Sequence, residues 1–216
     1  MKTLVLAATV AVLSFLQPAT AATIVNGDFE QQTVSGDLQT LGIASTALTG
    51  WTVRSGSIDH VGSYWQASHG DQSLDMSGSR AGAISQTVKG LVQGQSYQIL
   101  FDLSGNPDAG SGSMKRLKVS MNPSKGGTFS YTYVTSGTRD EMNWSEQVFS
   151  FVATSKKAVL TFASKTRSAY GPALDNVRFA PADTEHVSAV PLPAGAPLLI
   201  GGIAALGALR RRRRAA

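Results

Sequence analysis

Ser96-Tyr97-Gln98-Ile99-Leu100-Phe101-Asp102-Leu103-Ser104 reads as a β-strand. Tyr97, Ile99, Phe101 and Leu103 recur at a period of two, which buries one face of a sheet and wets the other. Similar runs lie on either side of it. Ser85 to Val88 is one; Arg116 to Met121 alternates Leu117, Val119 and Met121; Thr128 to Val134 alternates Phe129, Tyr131 and Tyr133. Glu146 to Ala153, Ala158 to Ala163 and Ala173 to Phe179 follow. Gly90, Gly94, Gly105-Asn106-Pro107-Asp108, Asn122-Pro123, Gly126-Gly127 and Gly171-Pro172 supply turns between them. Gly105 to Ser113 reads as a long surface loop, and there is no internal repeat. Many short antiparallel strands with glycine-rich turns predict an all-β fold, a jelly-roll β-sandwich.

The two ends read differently. Lys2, an apolar run from Leu4 to Leu16, and Ala19-Thr20-Ala21 together predict a signal peptide over 1–21. Small residues at Ala19 and Ala21 suit the shallow subsites of a signal peptidase. An ordinary N-terminal helix is the other reading. The β-sandwich domain is expected over 22–180, with a linker lacking apolar periodicity over 181–189. The last segment, 190–216, opens with Val190-Pro191-Leu192-Pro193-Ala194, runs apolar from Ala196 to Leu209, and ends in Arg210 to Arg214. That apolar run is short for a bilayer, which takes roughly 17–25 residues. The arginine cluster nevertheless marks it as a short C-terminal transmembrane helix with a cytoplasmic end. A basic tail for nucleic acid is the alternative, and it fits poorly with export.

The chain of 216 residues has 19 Lys+Arg against 14 Asp+Glu. Lys2 and Arg210 to Arg214 hold six of the basic residues, so the remainder has 13 basic and 14 acidic residues, a net charge of about −1. The high pI belongs to the tail, and net charge gives no argument for a nucleic-acid partner. There is no cysteine, which excludes a thiol nucleophile and Cys-ligated zinc and leaves stability to packing.

Chemistry-bearing residues are sparse. His60 and His69 read as surface-loop histidines, with Asp59 and Asp71 beside them, a metal or catalytic role being the alternative, and His186 falls in the linker. No G-x-S-x-G elbow and no phosphate loop occurs. Asp75, Asp102, Asp140 and Glu141 are carboxylates that a glycosidase pair would draw on, but nothing in their context singles them out. Asn26-Gly27-Asp28-Phe29-Glu30 opens the body and Leu174-Asp175-Asn176-Val177 closes it. First and last strands of a sandwich often lie together. Asp28, Glu30 and Asp175 are therefore candidate ligands for a structural calcium ion, which takes hard oxygen donors. Turn and cap chemistry accounts for the same residues equally well. Trp51 and Trp144 adjoin strand-like runs and are expected in the core. Asp59, His60, Tyr64, Trp65 and Asp71 form a candidate glycan site, in which aromatic faces stack on sugar rings and polar groups bond hydroxyls. The alternative is that Tyr64 and Trp65 close one end of the core.

Several blocks resemble the choice-of-anchor C family of bacterial exported proteins. They are Asn26 to Glu30, Gly50-Trp51, Ile58 to Ala67, Gly70 to Gly78, Phe101 to Asp108 and Ala169 to Val177. That family is similar to plant cell-wall domains of unknown function, taken to have galactose-binding-like jelly-roll folds. The resemblance implies a galactose-binding-like sandwich and a glycan partner, and supplies no catalytic residue. Val190-Pro191-Leu192-Pro193-Ala194 resembles the VPLPA variant of PEP-CTERM sorting signals, with Leu192 and Ala194 departing from Pro-Glu-Pro. This implies an exosortase partner and transient insertion in the inner membrane. The expected protein is therefore an exported, non-catalytic carbohydrate binder of the cell surface or extracellular matrix. A glycan hydrolase with paired carboxylates and a self-associating matrix protein are the alternatives.

Overall fold

The computed structural model describes residues 22–181. The expected signal peptide and C-terminal sorting segment lie outside the described residues. Among the described residues no helix is long and apolar enough to cross a membrane. The strands are β1 (Leu38–Gly42), β2 (Thr52–Ser55), β3 (Ser57–Val61), β4 (Ser73–Asp75), β5 (Ala83–Lys89), β6 (Ser96–Gly105), β7 (Met114–Asn122), β8 (Ser124–Lys125), β9 (Thr128–Val134), β10 (Ser145–Ala153), β11 (Lys157–Ser164) and β12 (Pro172–Pro181). They form two antiparallel sheets. The larger runs β1-β3-β4-β12-β6-β10-β8, and the smaller runs β2-β5-β11-β7-β9.

The alternating runs of the sequence are β5, β6, β7, β9, β10, β11 and β12. β6 lies between β12 and β10 in the larger sheet, with Tyr97, Ile99, Phe101 and Leu103 buried. β1 to β4 carry no such signal, for a physical reason. β3 and β4 are covered on both faces, with four of five and three of three residues buried, so period-two alternation is lost.

The core between the sheets is aromatic. Trp51 packs at 5.9 Å from Phe29 and 6.1 Å from Phe162, and Phe101 meets Phe162 edge-on at 5.2 Å. The Trp51 indole N–H donates to the Asn26 carbonyl at 3.0 Å, so its polar atom is satisfied. Trp144 departs from expectation. It is half-buried and packs in a separate cluster of Val61, Trp65, Met142 and Ala173. That cluster sits on the outer face of the larger sheet, because Ala173 and Val61 alternate with the inward Leu174 and His60. The segments 62–69 and 136–144 thus form a partial third layer over that face.

The opening and closing segments meet. The Val177 N–H donates to the Gly27 carbonyl at 2.8 Å. Gln86 acts as a surrogate strand partner for Val25, accepting its N–H at 2.7 Å and donating to its carbonyl at 2.8 Å. A Cβ on Gly27 would collide with the Val177 carbonyl. Gly27→Ala is therefore expected to lower stability by about 2 kcal/mol, read as a lower urea midpoint at unchanged slope.

Candidate functional site

The β3–β4 connection, residues 62–72, organises the outer face of the larger sheet. Two carboxylates from distant parts of the chain grip its backbone. Glu30 Oε1 accepts from the Asp71 and Gln72 amides at 2.8 and 2.7 Å. Asp175 Oδ2 accepts from the Ser68 and His69 amides at 2.8 and 3.0 Å, and from the Ser68 hydroxyl at 3.0 Å. Asp175 Oδ1 accepts from the Asn176 amide. Asn106 holds the neighbouring loop, accepting from the Asp108 amide at 2.9 Å and starting a single 3-10 turn, Pro107–Ala109.

At the rim of this layer, side chains from three segments converge. Arg139 pairs with Asp108 through Nη2 at 2.9 Å and Nε at 3.1 Å, and its guanidinium lies 4.0 Å from the Tyr64 ring centre. The Tyr64 hydroxyl donates to Asp108, which raises its pKa above the ordinary phenol value. Trp144 lies near by, its indole N–H donating to the Gln66 carbonyl at 3.0 Å, and Tyr170 is 47% exposed. Ser63 donates to Asp37 at 3.0 Å and lines an open cavity of about 510 Å³ with Glu30, Thr33, Asp71 and Gln72.

Beneath the layer lies Asp75, 1% exposed. It accepts from Asn106 Nδ2 at 2.7 Å, the Ser77 amide at 2.8 Å and the Gly171 amide at 3.0 Å. Burial pushes its pKa up to about 7 against those donors. Burial likewise pushes Asp175 up to about 7. Lys115 is buried near by, donating to the Tyr170 carbonyl at 2.8 Å, and burial lowers its pKa.

The structure divides the residues expected for a glycan site. His60 is buried in place of lying in a surface loop; its Nε2–H faces the Phe29 carbonyl at 3.0 Å and burial lowers its pKa. Asp59 points to the opposite face of β3 and accepts from Thr40 at 2.6 Å. Trp65 is buried under the loop layer and donates to Ser73 at 2.8 Å. Tyr64 and Asp71 alone of the five present themselves at the surface of the loop layer, Tyr64 on its rim and Asp71 in the cavity. His69 is exposed and contributes its backbone amide to Asp175.

The calcium candidates are not assembled either. Among the described residues no three acidic or imidazole groups converge as a metal site. Glu30 and Asp175 turn their oxygens toward N–H and O–H donors, the arrangement opposite to what a cation needs, and Asp28 accepts weakly from the Glu30 amide at 3.5 Å. Asn26, at φ 51°, accepts from the Gln31 amide at 3.0 Å, so this segment uses the turn chemistry of the alternative reading. Asp102 and Asp175 do form a carboxylate pair, bridged by the Ser68 hydroxyl at 2.8 and 3.0 Å, but Asp175 is 0% exposed and no substrate bond could reach it. Asp140 and Glu141 are exposed on the loop layer.

Sequence reasoning missed Arg139, Asp37 and the role of Asp108. Arg139 lies in a polar run without periodicity, so only the closing of the loop layer brings it to Tyr64.

Residues 22–180 match the family model described as protein of unknown function (DUF642), and the chain belongs to that family. Halomucin of Haloquadratum walsbyi (strain DSM 16790 / HBSQ001) is 32% identical over 197 residues. The match takes in 86% of this chain, which spans 2% of halomucin's length. Among solved structures, TmCBM61 in complex with β-1,4-galactotriose is similar at 15% identity and a TM-score of 0.46, covering 76% of this chain and 100% of that one. A family 35 carbohydrate-binding module from Clostridium thermocellum is similar at 14% identity and a TM-score of 0.44, covering 67% and 99%.

Asp75 and Asp175 hold a proton more tightly folded than unfolded, where the ordinary value is 3.8. At these two groups the unfolded state therefore binds fewer protons between pH 4 and 7, and the stability they contribute falls as pH rises through that window and levels off above it. The slope reaches at most about 1.4 kcal/mol per pH unit for each group. Denaturant titrations across that range are expected to show the decline, and Asp75→Asn is expected to shrink it.

Proposed function

We propose that this member of the DUF642 family is a non-catalytic carbohydrate-binding protein whose glycan site is the rim of the loop layer. The observation that carries this reading is the Tyr64–Arg139–Asp108 constellation beside the polar cavity. A sugar ring needs a flat apolar surface and fixed polar groups around it. Tyr64, Trp144 and Tyr170 supply aromatic surface, and the mutual pairing of Arg139 and Asp108 fixes two charged groups that bond hydroxyls strongly. Asp71, Ser63 and Thr33 line the adjoining cavity as hydroxyl partners. Asp175, sealed from solvent, is not available for general acid–base work, which needs contact with the scissile bond.

The wider proposal keeps the expectations drawn from the chain ends. The protein is exported, loses residues 1–21 after Ala21, and is sorted through Val190-Pro191-Leu192-Pro193-Ala194 by an exosortase to the cell surface or extracellular matrix. The choice-of-anchor C assignment belongs to the same proposal.

A glycan array with the full chain tests the binding reading. Capture of at least one uncharged polysaccharide is expected, reduced about tenfold in Tyr64→Ala and in Arg139→Ala with an unchanged far-UV spectrum. No captured uncharged glycan, or variants that bind it like the parent, would overturn the reading. Mass spectrometry of the mature protein's termini is expected to find a new N-terminus at residue 22 and a C-terminus near Pro193; a C-terminus at Ala216 would remove the sorting step.

A further inference from the structure

The near-neutral body conceals a strong charge separation. The five strands of the smaller sheet contain no Asp or Glu at all. Their basic residues are Arg54, Lys89, Lys115, Arg116, Lys118 and Lys157, and Lys165 follows β11 directly. Lys115 points inward, while the others alternate with the core residues Val53, Val88, Leu117, Val119 and Ala158 and so share the outer face. The larger sheet holds Asp59, Asp75, Asp102, Glu146 and Asp175 against Lys125 and Arg178. Both ion pairs among the described residues, Arg139–Asp108 and Arg178–Glu146, lie away from the basic face.

Folding does not require this arrangement. Lys89 and Lys157 stand directly opposite each other across β5 and β11, a like-charge pairing that destabilises a sheet. Arg116 and Lys118 repeat the juxtaposition along β7 at the other end of the face. The two groups are about six residues apart along β11, or roughly 20 Å. Between them lie Thr87, Thr161 and Ser120. Arg54 and Lys89 also line one open depression of about 430 Å³ with Thr52 and Thr87.

We infer that the outer face of the smaller sheet binds an acidic polysaccharide, a polymer of uronate units laid across the strands. Two cationic ends with hydroxyls between them match a chain that carries spaced carboxylates on a hydroxyl-rich backbone. Tyr131 and Tyr133 of β9 pack toward the core, and Phe129, 57% exposed, lies on their side of the strand against Tyr131, so the outer face itself carries no aromatic ring on which bases of single-stranded nucleic acid could stack. Its apolar content, Val159 and Val25 at the depression with Met114 and Val134 at the margins, gives little to insert into a membrane. This surface is on the opposite side of the sandwich from the Tyr64 rim, so the inference stands or falls separately from that reading.

The test measures affinity of the full chain for polygalacturonate and for the same polymer fully methyl-esterified, across a salt series. Binding to the charged polymer alone, weakening as salt rises, is expected. K89Q/K157Q is expected to lose tenfold or more, with K89R/K157R close to the parent. Tyr64→Ala, and a chain with Arg210 to Arg214 all replaced by glutamine, are expected to keep the affinity. Unchanged binding in K89Q/K157Q, or loss only in the tail variant, would overturn the assignment. So would equal binding of the esterified polymer, and so would equal or tighter binding of duplex DNA or of vesicles rich in phosphatidylserine.

Discussion

Asp75 is a carboxylate almost sealed from water on a sheet face that carries much of the structure above it. An isolated charge there would be costly, so the fold surrounds it with donors from three places: the end of β6 (Asn106), the start of β12 (Gly171) and its own strand end (Ser77). Those bonds fix where β4 and β6 stop and where β12 begins. A Cβ on Gly171 would collide with Asp75 Oδ1, so the close approach requires glycine. Lys115 sits close enough for its pKa to respond to Asp75, and ties in β7 from the other sheet.

The loop layer over this face depends on a second set of carboxylates. Glu30 and Asp175 come from the two ends of the domain, and both hold the backbone of 62–72. The opening and closing segments of the domain, the loop layer and the candidate glycan site are therefore mechanically one unit. Trp65, Met142 and Ala173 seal its underside, and Tyr64, Arg139 and Asp108 are what the layer presents outward. The same carboxylates that looked like calcium ligands in the sequence are used as amide acceptors.

Local pattern reveals β5 to β7 and β9 to β12 because alternation is a property of neighbouring residues. It fails for β3 and β4, which are buried on both faces, and for Trp144, whose cluster exists only once two loops close. In the site, Tyr64 and Asp71 were legible as loop residues of suitable chemistry. His60 was not, since one residue's shift along a strand exchanges surface for core.

The chain's composition and period-two runs were enough to determine an all-β sandwich with a nearly neutral body. Which carboxylates are buried, which aromatic side chains reach the rim, and how charge is distributed were decided by tertiary structure alone. Sheet order is the reason. β2, β5, β11, β7 and β9 are brought side by side although paired residues such as Ala83 and Ala163 lie far apart in the chain, so their lysines and arginines, Lys115 aside, collect on one face. The acidic strands interleave in the other sheet. A sum over the sequence cancels the two; the fold holds them apart.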